Sequence, residues 1–119
     1  MYASKNFKWS ELQCKCGCKT VYVSTLALIK LQRLRNLVGA PIKLNSVCRC
    51  PLHNARVGGV PKSKHRSTPI TPTTAFDIAI GNHSKTFLID CARKAGFKAI
   101  GVNYKTFIHV DDRTRYARW

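Results

Sequence analysis

The stretch NSVCRCPLHNARVGGVPKSKHRSTPITPTTAFD, from Asn45 to Asp77, together with FIHVDD, from Phe107 to Asp112, decides how the chain reads. The first piece ends in S-x-H (Ser63, Lys64, His65) and A-x-D (Ala75, Phe76, Asp77); the second supplies H-x-D through His109 and Asp111. In FIHVD the residues alternate, so His109 and Asp111 share one face of a strand while Ile108 and Val110 share the other. In AFDIAI the same rule puts Asp77 with Ala75 and Ala79, opposite Phe76, Ile78 and Ile80. Each strand therefore has one apolar face for a core and one face bearing ligand-type residues. A carboxylate in such a β-branched, aromatic run is costly to bury without a cation or hydrogen-bond donors. Two imidazoles and one carboxylate form a natural set of protein ligands for a zinc ion whose fourth position stays open.

The order S-x-H, A-x-D, late H-x-D, with the loop R-x-P-x-H-N-x-x-V-G-G-V-P from Arg49 to Pro61 ahead of it, resembles the zinc D-Ala-D-Ala carboxypeptidase family. That family includes phage L-alanyl-D-glutamate endopeptidases and shares its fold with the hedgehog signalling domain. The likeness covers nearly the whole chain, since a lead like WSELQCKCGC (Trp9 to Cys18) followed by one helix also recurs there. It implies an α+β fold in which a small antiparallel sheet carries the zinc site and helices pack on one face. It also implies that His65, Asp77 and His109 hold Zn2+, that Arg49 holds the substrate, and that the substrate is a peptidoglycan stem peptide or cross-link. Two departures stand out. His65 and Asp77 are further apart than is usual in the family, the extra length being RSTPITPTT at 66–74, and Thr106 stands where many members carry an acidic base.

Zinc in such a site lowers the pKa of bound water to ~7 and polarises a carbonyl, but hydrolysis still needs a group to carry the proton. Asp111 is the candidate base because it shares a strand face with His109, whereas Asp112 points the other way. Arg49 has the fork geometry for a carboxylate or a developing oxyanion. Ser63 is placed to bond substrate or orient His65, and His53 to line the cleft; His83, beside a turn, reads as exposed.

At 119 residues the chain is read as one domain, 1–119. No segment reaches ~18 uninterrupted apolar residues, and MYASKNFKWS lacks a hydrophobic signal core. The expectation is a monomer without a transmembrane segment, made in the cytoplasm and acting on the cell wall after release, as a phage endolysin does. Charge is the unusual quantity: 21 Lys and Arg against 5 Asp and Glu, a net +16. That balance points to anionic polymers as partners, whether nucleic acid, lipopolysaccharide, teichoic acid or anionic lipid. Taken with the resemblance, the expectation is anionic cell-envelope polymers and no specific nucleic-acid recognition. Two rival readings differ in class. A basic, cysteine-bearing nucleic-acid binder would hold metal at its Cys clusters and grip phosphates with its Arg-rich ends. A non-catalytic cell-wall-binding domain would keep the fold and zinc but not the hydrolysis.

The six cysteines are Cys14, Cys16, Cys18, Cys48, Cys50 and Cys91. Their C-x-C-G-C and C-R-C clusters do not match the usual C-x2-C zinc clip, so buried inert thiols are expected, with a disulfide or second metal joining the first cluster to Cys48 or Cys50 as the alternative. Residues 1–23 show little periodicity and read as an irregular lead with a turn at Ser10 and Glu11. Ser24 caps a helix TLALIKLQRLRNLV that Gly39 stops, with Ala27, Leu31, Leu34 and Val38 inward. Ile42 to Ser46 reads as a strand, and Pro51 opens a short helix that Gly58 and Gly59 end. Residues 66–74 read as an exposed loop. Ser84 caps KTFLIDCARKA, stopped by Gly96, with Phe87, Leu88, Cys91 and Ala95 inward. Lys98 to Val102 pairs with Phe107 to Asp111, and Trp119 packs the Arg-rich tail onto the body.

Overall fold

The computed structural model describes all residues from Met1 to Trp119. The elements in chain order are β1 (Tyr2–Ser4), β2 (Phe7–Lys8), α1 (Trp9–Leu12), α2 (Thr25–Val38), β3 (Leu44–Ser46), α3 (Pro51–Arg56), β4 (Ala75–Ala79), α4 (Lys85–Ala95), β5 (Ala99–Gly101), β6 (Phe107–Asp111) and β7 (Ala117–Arg118). The fold is α+β. β1 and β2 form a small hairpin, and the other strands form one sheet in the order β3-β4-β6-β5-β7. The first four strands of that sheet are antiparallel neighbours, and β7 adds on in parallel with β5. The small antiparallel sheet of the sequence reading is thus extended to a mixed one, because the tail folds back along an edge that alternation within a two-residue strand cannot announce.

The long helices start and stop where their polar punctuation dictates. The Ser24 hydroxyl accepts from the Ala27 amide at the head of α2, and Ser84 accepts from Phe87 at the head of α4. Gly39 and Gly96 end them at φ 74° and 107°, a left-handed conformation that glycine adopts without a Cβ penalty. Ala27, Leu31 and Leu34 of α2 and Leu88, Cys91, Ala92 and Ala95 of α4 are buried against Phe76, Ile78, Ile100, Ile108 and Val110 of the sheet. Each of those fully buried leucines contributes about 1.5–3 kcal/mol over an exposed one. Phe87 corrects the inward reading of α4: it is 44% exposed, and Ala92 takes the inward position instead.

The lead is ordered rather than irregular. Ser4 and the Asn6 amide both donate to Gln32 Oε1 of α2, at 2.7 and 3.0 Å, and Glu11 accepts from the Lys8 amide at 2.7 Å to start α1. Phe7 and Leu12 join the main core. The 66–74 segment is exposed at Arg66 and at its tip from Pro69 to Thr71, while Ser67 and Thr73 are buried. Their hydroxyls explain it: Ser67 Oγ donates to Tyr22 O, and Thr73 Oγ1 donates to His65 O at 2.9 Å.

One face of the sheet is thus consumed by the helices. On the other, β4 and β6 are paired in a register that sets Asp77 directly opposite His109 and Ala75 opposite Asp111. On the far side of β6, Gly101 faces His109 and Ala99 faces Asp111. The neighbours of the polar residues are small, and that leaves space above the sheet.

Candidate metal centre

Asp77 and His109 are held by the β4–β6 register, and His65 is brought to them by the loop after α3. The Arg49 amide donates to His65 O at 2.7 Å, and the Ser67 amide donates to Arg49 O, so the two loop segments run side by side like short strands. The result is a tight triangle. His65 Nε2 and His109 Nδ1 each lie 3.1 Å from Asp77 Oδ1 and 3.3 Å from one another.

The outer nitrogens decide the tautomers. His65 Nδ1 lies 2.9 Å from Val47 O, a pure acceptor, so Nδ1 carries the proton and Nε2 presents a lone pair inward. His109 Nε2 lies 2.8 Å from Asp111 Oδ2 and donates to it, which leaves the Nδ1 lone pair facing Asp77. Three acceptor atoms then converge in a site where His65 is 3% and Asp77 7% exposed. Such an arrangement is repulsive unless a cation lies between them. A tetrahedral zinc at its usual distances from N and O ligands separates those atoms by about 3.3–3.5 Å, close to the spacing observed. The donor set, its geometry and its outer hydrogen bonds therefore fit zinc.

Electrostatics agree. In the metal-free chain a proton takes the cation's place between these atoms: burial works to raise the Asp77 carboxyl, but the hydrogen bonds then donated by His109 and His65 outweigh it and hold the group well below the usual carboxylate range. Burial works to lower His109, yet its bonds to Asp111 and Asp77 raise it above an ordinary histidine. The triangle attracts positive charge.

Around this triangle lies a cleft of about 560 Å³. Arg49, Ser63, Tyr104, Phe107, Arg113 and Trp119 line it together with the three convergent residues. Arg49 is half-buried, with Nη2 3.9 Å from Asp77 Oδ2 and Nη1 donating to Asn54 Oδ1 at 3.4 Å. Ser63 lines the cleft while its hydroxyl accepts from the His65 amide at 3.2 Å. His53 lies in α3 and does not line the cleft.

Asp111 is placed differently from the proton-carrying role that its strand face suggested. It is fully buried, off the cleft, with Oδ2 bonded to His109 and to Arg113 Nη2 and Oδ1 bonded to Arg113 Nε at 2.8 Å. Both oxygens are occupied behind the imidazole. Burial opposes its charge, but His109 and Arg113 bring the carboxyl down to about 2. The remaining acids are also engaged elsewhere: Glu11 caps α1, Asp112 pairs with Lys30, and Asp90 pairs with Lys94 on the surface of α4. Asp77 is thus the only carboxylate on the cleft.

The aromatic wall was not read from the sequence. Trp119 lies with its ring centroid 5.1 Å from that of His109, Arg113 sits over its face, and its indole N–H donates to Tyr104 Oη at 2.9 Å. Gly101 makes this possible, since a Cβ there would come within 2.8 Å of both Trp119 and Tyr104. The available signal was an unexplained glycine in a buried strand opposite a site histidine. No helix is long and apolar enough to cross a membrane.

A family model described as Peptidase M15 matches residues 5–111 of this chain. No curated protein matches it significantly.

Proposed function

The chain belongs to the peptidase M15 family, whose members are zinc enzymes, and from that premise we propose that it is a zinc peptidase cleaving an amide bond within the stem peptide or cross-link of peptidoglycan. The observation that carries the reading is the triangle of His65, Asp77 and His109 at the floor of an open cleft. Zinc bound there supplies Lewis acidity that polarises the scissile carbonyl and lets water act as a nucleophile near neutral pH. Arg49 reaches into the same cleft with a guanidinium suited to a substrate carboxylate or to the oxygen that gains charge during attack. The Tyr104 hydroxyl accepts from Trp119 and so keeps its own proton to donate toward the cleft. Asp111 acts through His109, whose tautomer and angle it fixes; it is a positioning residue.

The role proposed is that of an endolysin. The net charge of +16 supports it, since a strongly cationic peptidase accumulates at an anionic envelope once it can reach it. A second reading, wall binding without cleavage, has one observation in its favour: no carboxylate but Asp77 lines the cleft to serve as a base. One experiment separates the two. Purified peptidoglycan is incubated with the wild type and with His65→Ala, and released fragments are read by mass spectrometry. New amino termini within the stem identify an endopeptidase and free D-alanine a carboxypeptidase. Wall association without zinc-dependent release from any wall type refutes the peptidase and leaves the binding domain.

A further inference from the structure

Outside that site lies a second convergence of ligand-type side chains. Cys14, Cys16 and Cys18 occupy the turn after α1, and Cys50 arrives from the distant loop as the residue before α3. One sulfur from each lies within 4.8 Å of all the others. Cys14 Sγ is 3.5 Å from Cys16 Sγ, which is 3.7 Å from Cys50 Sγ. A disulfide would hold two sulfurs at about 2.0 Å, and all six cysteines are free. A single tetrahedral zinc with sulfurs at about 2.3 Å separates them by about 3.8 Å, close to the 3.5 and 3.7 Å of those two edges, and every other edge stays within 4.8 Å.

We propose that Cys14, Cys16, Cys18 and Cys50 form a second, structural zinc centre that ties the N-terminal turn to the loop carrying Arg49. Four thiolates are soft ligands in a tetrahedral set, a combination that selects zinc or iron–sulfur chemistry. A polynuclear cluster spreads its cysteines around several metal and sulfide atoms, whereas these edges enclose one ion. With four protein sulfurs the site is closed to water, unlike the histidine site. On binding, the four thiols release their protons and leave a site of about two negative charges, which the basic chain tolerates.

The backbone is shaped for this. Cysteines at alternate positions would trail out along an extended chain. Here Gly17 at φ 97° and Lys19 at φ 61° curl the turn, and the Cys14 amide donates to Thr20 O at 2.7 Å to close it. Lys19 is the only non-glycine residue with positive φ, a strained conformation that persists only where the surroundings impose it. Backbone amides are also aimed at sulfur: Cys50 N donates to Cys14 Sγ, and His53 N to Cys50 Sγ, both at 3.4 Å. Such bonds favour thiolate over thiol.

The clip reaches the cleft through a short segment. Cys48 N donates to Leu12 O at 3.1 Å, and Lys15 Nζ donates to Asn45 O at 2.7 Å, so the turn grips residues 45–50 along their length. Within that segment Val47 O holds His65, and Arg49 faces Asp77. The cysteine centre positions both.

The test is metal analysis of the whole chain purified with zinc under reducing conditions. The wild type is expected to hold about two zinc ions per chain, and Cys16→Ser/Cys18→Ser and His65→Ala about one each. Cobalt-loaded wild type and cobalt-loaded His65→Ala should both show thiolate-to-cobalt charge-transfer absorption, absent from the double serine variant. This separates the centre from the histidine site, whose failure would leave the band intact. In case the double variant does not fold, alkylation of the wild type gives the same answer: Cys14, Cys16, Cys18 and Cys50 should be protected with zinc and modified after chelation. The proposal is overturned by a wild type without the cobalt–thiolate band, by equal alkylation with and without chelator, by iron in place of zinc, or by a disulfide among the four.

Discussion

The two clusters of metal-ligand residues are built on opposite principles. His65, Asp77 and His109 are buried or nearly so, two of them fixed by strand register and each imidazole steadied by an acceptor on its far nitrogen. Cys16 and Cys18 are exposed on a turn, and only Cys14 of the four is buried. The sheet preforms the first cluster and leaves one side open to a cleft, while the second relies on a loop crossover that no strand register fixes and that few hydrogen bonds besides its own ligands hold together. An open, preformed site suits chemistry; a closed site on loops suits holding.

The sharpest way to break this contrast is to remove one ligand from each. His109→Ala should lower peptidase turnover on the order of 10³-fold or more while leaving the fold, by circular dichroism, close to wild type. Cys16→Ser should do the reverse, lowering the melting temperature and loosening the lead while retaining measurable turnover. If the cysteine variant loses activity as completely as the histidine variant, the division between chemistry and holding is wrong.

Asp111→Asn comes next. The amide presents a donor to either His109 or Arg113, both of which already donate, so the orienting bond is spoiled while the shape is kept. A positioning residue of this kind is worth about 10–100-fold in metal affinity or activity, and excess zinc should restore much of the loss. Loss of turnover that no zinc concentration rescues, with a changed pH profile, would mean that Asp111 carries a proton after all.

Arg49→Lys should be milder and should show chiefly in KM. Lysine keeps the charge but not the planar fork, so the loss is only a fraction of the roughly 1.5–3 kcal/mol that a charge-assisted hydrogen bond contributes. An unchanged KM would place substrate recognition elsewhere on the cleft, with Arg113 and Trp119 the next residues to test.

How far the sequence carries a reader differs between these regions for physical reasons. The alternation in AFDIAI and FIHVD states which face each residue takes, and pairing two such strands puts Asp77 beside His109. Ser24, Gly39, Ser84 and Gly96 likewise mark helix ends by local chemistry that needs no tertiary knowledge. The cysteine convergence joins Cys50 to a turn far back in the chain, and its spacing fits a single ion only after the left-handed residues Gly17 and Lys19 curl the backbone. Asp111 was placed on the site's strand face by alternation, but its buried pairing with Arg113 depends on the path of the chain after β6. Trp119 reaches the cleft only because a two-residue edge strand pairs in parallel with β5. Non-local pairings of short segments leave no periodicity to read.

The smallest effect sets the two states of the histidine site against each other as pH changes. In the metal-free chain His109 has its pKa raised in the fold, so its stabilising contribution is complete below the ordinary histidine value and is lost as pH rises through the raised one. Asp111 has its carboxyl lowered to about 2, so its contribution is present above the ordinary carboxylate value and is lost as pH falls toward 2. Chelated protein should therefore melt highest in the mildly acidic window between those groups and lower at neutral and alkaline pH. Zinc reverses the upper limb, because it binds the deprotonated imidazoles and its stabilisation grows as protons stop competing. Melting temperatures of chelated and zinc-loaded protein should diverge as pH rises from mildly acidic to mildly alkaline. In the Cys16→Ser/Cys18→Ser variant that divergence isolates the histidine site. Parallel curves there would mean that the imidazoles do not hold the ion, whatever the cysteines do.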